Sequence, residues 1–160
     1  MGKLTGTRHG DAANNLMGFY QEKSRELEES GQYFMAAIAL GFAIETAVLA
    51  YLLVEFGEDN GGELEIPASV DMSQLIAAAN EIDVLNAPIH VPSHVGANDD
   101  DTPPTHVAKE AIDSIRRFRN LIHPARALKE SFDPRTFTLE QLEEFKDMYL
   151  SILHSLMYYL

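Results

Sequence analysis

Arg116, Arg117, Arg119, Asn120 and His123 crowd into eight residues of the stretch Ile115-Arg116-Arg117-Phe118-Arg119-Asn120-Leu121-Ile122-His123-Pro124. Arginine offers a planar, permanently charged fork that fits phosphate oxygens. Histidine can take up and release a proton near neutral pH. Together these groups suffice for metal-independent cleavage of RNA, in which a 2′-hydroxyl attacks the adjacent phosphate. The same residue types have a structural use. Cations near a helix C-terminus are favourable in themselves, and Arg119 and His123 could pair with internal carboxylates and cap the helix end.

The helix that must carry these groups is expected from about Thr105 to Ile122, with Pro124 marking its end because the residue before a proline is pushed out of the helical region. At 100° per residue Val107, Ala111, Ile115, Phe118 and Ile122 share one arc. Arg119 lies at its margin, with Arg116 one turn before and His123 one turn after. Asn120 is on the same flank, and Arg117 points elsewhere. The expectation is a polar strip of Arg116, Arg119, Asn120 and His123 beside the core face.

Charge sets this segment apart. The 160-residue chain has a formal net charge of -13. Between residues 109 and 129, Lys109, Arg116, Arg117, Arg119, Arg126 and Lys129 stand against Glu110 and Asp113 alone, a local net charge of +4. Bulk electrostatic attachment to nucleic acid is therefore disfavoured, and any anion is steered to this one locale. The length suits a single domain spanning 1–160, and the 46% apolar content supports a core without disulfides. Cysteine is absent, which removes thiolate metal sites and thiol nucleophiles and fits a reducing, cytoplasmic setting. No apolar run follows Met1, so no signal peptide is expected.

Hydrophobic periodicity reads as helix throughout. Residues 1–10 are expected to be flexible. A first helix is expected over 11–30, with Leu16, Phe19, Tyr20, Lys23 and Leu27 on its inner face and a break at Ser30-Gly31. A second runs from about Gln32 to Phe56. Residues 57–70 and 86–104 read as loops. A short helix begins at Asp71, where Asp71 and Gln74 form a capping box, and it turns Leu75, Ile76, Ala79 and Ile82 inward. The last begins behind Thr138 and Gln141 and runs to Leu160, with Glu140, Glu143, Glu144 and Asp147 on its wet face. The expected class is all-α, a four- to five-helix up-and-down bundle.

The second helix is long and apolar enough to span a bilayer. Glu45 at its midpoint, acidic flanks and many small residues argue instead for burial among protein helices, with no membrane. His90, His94 and His106 have metal-ligating side chains, but Pro88 and Pro92 disfavour the helix that an i, i+4 zinc pair needs. Asp99-Asp100-Asp101 lacks a calcium-loop pattern. No cofactor is indicated, and no Gly-rich phosphate loop or serine nucleophile pattern is present.

The stretch from Ile115 to Pro124 resembles the signature helix of the HEPN superfamily (higher eukaryotes and prokaryotes nucleotide-binding). The segment from Ser30 to Ala37, leading to Ala43-Ile44-Glu45-Thr46-Ala47, is similar to that family's first hairpin and its small-residue second helix with an embedded Glu. Leu75 to Ala79 followed by Val84-Leu85 resembles the short helix before the signature. The likeness covers about residues 11–126. It implies a HEPN-like helical bundle, commonly a homodimer with signature helices at the interface, that binds RNA or a nucleotide. Many members are ribonucleases of toxin–antitoxin or phage-defence systems, and others partner nucleotidyltransferase-like proteins or antitoxins. In active members four to six residues separate a catalytic Arg from the His. Here three intervene from Arg119, five from Arg117 and six from Arg116.

The resemblance implies His123 as general acid or base, with Arg116 or Arg119 stabilising phosphate charge. Arg117, Asn120 and Arg126 are candidate binding residues, and Glu45 is the natural internal partner of one arginine. Two functions remain open: a metal-independent endoribonuclease, or a non-catalytic helical module that dimerises or binds a partner protein.

Overall fold

Local capping chemistry sets the helix boundaries. Asp71 accepts the Gln74 backbone N–H at 2.8 Å while the Gln74 side chain accepts from Asp71 N at 3.0 Å, a closed capping box. Thr138 and Gln141 repeat the device at the last helix. At the first turn Gly31 adopts φ +78°, which glycine tolerates freely. Gln32 N then reaches Leu27 O at 2.8 Å and Gly31 N reaches Glu28 O at 2.9 Å, closing a Schellman motif.

The computed structural model describes residues 2–56, 64–82, 85, 88, 89 and 106–158. Its elements are β1 (Lys3–Leu4), α1 (Gly6–Glu29), α2 (Tyr33–Tyr51), β2 (Ile66–Pro67), α3 (Met72–Glu81), β3 (Pro88–Ile89), β4 (His106–Val107), α4 (Ala108–Arg119), α5 (Pro124–Lys129) and α6 (Leu139–Tyr158). A π-helical turn, Leu52–Phe56, extends α2, and 3-10 turns cover Asn120–Ile122 and Pro134–Thr136. The fold is all-α. The strands form only two antiparallel two-residue pairs, β1 with β2 and β3 with β4. Residues 3–10, expected to be a flexible lead-in, are built into the fold: β1 pairs with β2, and α1 starts at Gly6 rather than near residue 11. Most of the expected loop 86–104, with His90, His94 and Asp99–Asp101, lies outside the described residues.

Helix α2 is the hub. It packs against α1, α3, α4 and α6. Ala36, Ala37, Ala43 and Ile44 are each at most 1% exposed, and Met35, near the helix start, is its one exposed residue. The segment Tyr33–Glu55 is long and apolar enough to cross a membrane, and 78% of that window is buried within the fold. Burial by neighbouring helices is what its small residues allow.

Helix α1 corrects the periodicity. Leu16 and Phe19, expected inside, are 45% and 50% exposed, and Lys23 is exposed too. The buried positions are Gly10, Ala13 and Ser24, with Tyr20 and Leu27 half-buried beside them. Small residues win that face because α1 lies close on α2, where Ser24 Oγ donates to the Ala36 carbonyl at 2.8 Å. At the helix start a Cβ on Gly6 would stand 2.2 Å from the Leu53 carbonyl oxygen. Gln21 donates to the Tyr149 hydroxyl and Lys146 Nζ to Glu28 at 2.6 Å, which tie α1 to α6.

An aromatic cluster closes the other end. Phe118 of α4 lies 4.5 Å from Phe145 and 5.0 Å from Phe137, ring centre to ring centre, and Phe34 lies 5.3 Å from Phe132. These contacts pin the chain after α5 onto α2 and α4.

Two substitutions test this packing. Gly6→Ala is expected to lower unfolding free energy by about 2 kcal/mol, since the added methyl meets fixed backbone. Ser151 is fully buried on α6, and its hydroxyl has no hydrogen-bond partner among the described residues. Ser151→Ala is therefore expected to stabilise by about 1 kcal/mol. Urea titrations followed by circular dichroism read both, and opposite signs would contradict the packing described.

Candidate functional site

The sequence places its cations where a helix must stop, and the structure resolves how it stops. Helix α4 ends at Arg119. Asn120–Ile122 tightens into a 3-10 turn, and His123 takes extended backbone at φ -79°, ψ 122°. Pro124 forces that conformation on the residue before it and then opens α5 from the N1 position. His123 is thus a junction residue. Its N–H donates to Asn120 O, and its carbonyl accepts from Arg126 N and Ala127 N, each at 3.1 Å.

This geometry revises the expected strip. A single α-helical wheel does not extend through residue 123, because the 3-10 turn rotates each residue by about 120° instead of 100°. Ile122, expected on the core arc, comes out 39% exposed. Ala111 and Ile115 are buried as expected, and Ile112 joins them at 0% exposure. His123 is exposed, and its side chain makes no capping hydrogen bond.

Arg119 turns inward. Its Nη1 donates to Glu45 Oε2 of α2, forming an ion pair with side chains only 21% and 23% exposed. Its guanidinium carbon sits 5.0 Å from the centre of the Phe42 ring. Its stem lies against Gly41, where a Cβ would touch Cγ and Cδ at 3.4 Å. Burial draws the Arg119 pKa below its usual value, yet a guanidinium keeps its charge at any working pH. The carboxylate expected to hold one arginine has therefore taken Arg119. Gly41 and Phe42 escaped the sequence reading, although Gly41, Phe42 and Glu45 share one face of α2 by helical spacing.

The other cations are loosely held. Arg116 Nε is 3.8 Å from Asp113, with the arginine side chain 33% exposed. Arg117 is exposed and reaches only the Asp113 carbonyl at 3.4 Å. Arg126 is exposed, 4.0 Å from Glu130, and its backbone is bonded to His123. Asn120 is half-buried in the 3-10 turn. Exposed pairs at such distances contribute little, so these forks are free to exchange a carboxylate for a phosphate. The structure thus separates the inward Arg119 from the half-buried Arg116 and the exposed Arg117 and Arg126, and ties the backbone of Arg126 to His123. Among the described residues, no group of three His, Asp or Glu side chains is placed to hold a metal ion.

The chain matches no family model, no curated protein and no solved structure.

The Glu45–Arg119 pair should behave as a structural bolt. Glu45→Ala is expected to cost about 2 kcal/mol, less than a fully buried pair because a fifth of each side chain meets water. The double variant Glu45→Leu/Arg119→Leu should recover most of that loss, whereas His123→Ala should change stability by less than about 0.5 kcal/mol. A double-mutant cycle in urea decides it, and additive losses from the two sites would mean that the pair carries no coupling.

Proposed function

We propose that this chain is a HEPN-like, RNA-directed helical domain that cleaves RNA without a metal ion, acting in the cytoplasm as part of a toxin–antitoxin or phage-defence system. The observation that carries the reading is His123, exposed at the helix junction, while Arg116, Arg117 and Arg126, close to it in sequence, are only weakly paired. The likeness of residues 115–124 to the HEPN signature supports the substrate class.

On this reading His123 moves a proton. The 2′-oxygen forms a bond to the adjacent phosphorus, the bond to the 5′-oxygen breaks, and His123 either accepts the 2′-hydroxyl proton or donates one to the leaving oxygen. Arg116 neutralises charge on the phosphoryl oxygens as the five-coordinate state forms. Arg117, Asn120 and Arg126 hold neighbouring nucleotides. Arg119 is left to the fold, because its fork is engaged by Glu45. Arg116 and Arg117 are also the two arginines whose spacing to His123 falls within the four to six residues of active members.

A second reading has its own support. The net charge of -13 works against RNA outside the cationic segment. A non-catalytic HEPN-like module, dimeric or docked on a nucleotidyltransferase-like or antitoxin partner, would use the same cations to bind a nucleotide or an acidic protein surface.

The two separate in a cleavage assay on mixed RNA in the presence of EDTA. The nuclease reading expects new 2′,3′-cyclic phosphate ends, lost by about 10²–10⁴-fold in His123→Ala and by about 10²-fold or more in Arg116→Ala. Both variants should keep wild-type helicity. No cleavage by the folded protein across several RNAs, with binding retained, would leave the non-catalytic module.

A further inference from the structure

The outer face of α1 carries a strip that the fold leaves uncovered. Arg8, Ala12, Leu16, Phe19, Lys23 and Glu26 are all exposed. At 3.6 residues per turn they fall within an arc of about 80°. Leu16 and Phe19, the apolar pair at its centre, are 45% and 50% exposed on a helix whose inner face is built from small residues. Leu16 and Phe19 are i, i+3 neighbours, so their exposed apolar surface is contiguous rather than scattered.

We infer that this strip pairs with the same strip of a second copy of the chain, the two α1 helices running antiparallel about a two-fold axis. The order of residues selects that occupant. Set antiparallel, Leu16 comes opposite Phe19, Ala12 opposite Lys23 and Arg8 opposite Glu26. Two-fold symmetry makes each contact twice. The apolar pair then lies on the axis, and an Arg–Glu pair closes each end. A parallel arrangement instead stacks Arg8 on Arg8, Lys23 on Lys23 and Glu26 on Glu26. Arg8 forms no ion pair among the described residues, and Glu26 holds only the exposed i, i+3 contact to Lys23 at 3.0 Å. Antiparallel helices also set opposite ends of their macrodipoles together. The strip lies on α1, apart from the cationic α4–α5 junction, so its pairing stands or falls without RNA chemistry.

Sedimentation velocity of the full chain tests it, with circular dichroism to verify that each variant stays helical. One helix face is at the small end of specific interfaces, so dimer is expected at roughly 100 µM and monomer at a few micromolar. Phe19→Asp should weaken association at least tenfold. Arg8→Glu and Glu26→Arg should each weaken it several-fold, and the double variant Arg8→Glu/Glu26→Arg should restore it. A folded chain that stays monomeric at the high concentration overturns the inference. So does a dimer indifferent to Phe19→Asp, which would place the contact elsewhere, for example across the α4–α5 junction. Failure of the double variant to rescue overturns the antiparallel register.

Discussion

One charged residue sits in an otherwise uncharged α2, and its neutralisation governs the rest. Glu45 lies at the centre of the helix that every major helix except α5 packs against. A carboxylate there must be met by a cation, and Arg119 supplies it from the last turn of α4. That contact fixes how α4 is rotated about its own axis. Arg119 is the final residue of α4, just ahead of the Pro124 that forces His123 out of helical backbone. The 3-10 turn, the exposed His123 and the reversal into α5 come directly after the residue so held. Pairs of this kind add little net stability but strongly favour one arrangement over its neighbours, which is the property a positioned surface site requires.

Small residues make the arrangement possible. Gly41 lets the Arg119 stem lie flat on α2, and Ala13 and Ser24 bring α1 close enough for a side-chain bond to the Ala36 carbonyl. Phe42 joins both neighbourhoods, stacked on Tyr20 of α1 at 5.3 Å and with the Arg119 guanidinium 5.0 Å from its ring centre. The exposed Phe19 meets Tyr20 edge-on at 5.5 Å. A continuous ladder of rings therefore runs from the outer face of α1 to the buried ion pair, so the face available to a second copy and the cationic junction rest on one shared support.

Legibility in the sequence followed the range of each interaction. Caps are local, and Asp71 with Gln74, Thr138 with Gln141, and Ser30-Gly31 were all readable without tertiary knowledge. Pro124 announced the end of α4 for the same reason. The burial of α2 was readable because no face of it is polar. Periodicity failed on α1, since a pattern of large apolar residues shows amphipathicity but not which face a close-packed neighbour accepts. Leu16 and Phe19 lost to Ala13 and Ser24 there. It failed again at Ile122 and His123, because a wheel drawn at one pitch cannot follow a change to 3-10 geometry. Whether Arg116 or Arg119 would take Glu45 was also beyond the sequence, as the choice depends on how α2 and α4 cross.

The arginine nearest in sequence to His123 is the one the fold uses. Three residues separate Arg119 from His123, and Arg119 is the arginine that turns away from solvent to Glu45. Arg116 and Arg117, with six and five residues between them and His123, keep only loose contacts to Asp113. The 3-10 turn matters to that separation. By rotating the chain faster than an α-helix does, it moves His123 off the line that continues from Arg119. One arginine of the cluster thus serves as a structural bolt between α4 and α2. It also means that loss of Arg119 and loss of Arg116 must differ in kind: the first loosens the bundle, and the second would act only where a phosphate is bound.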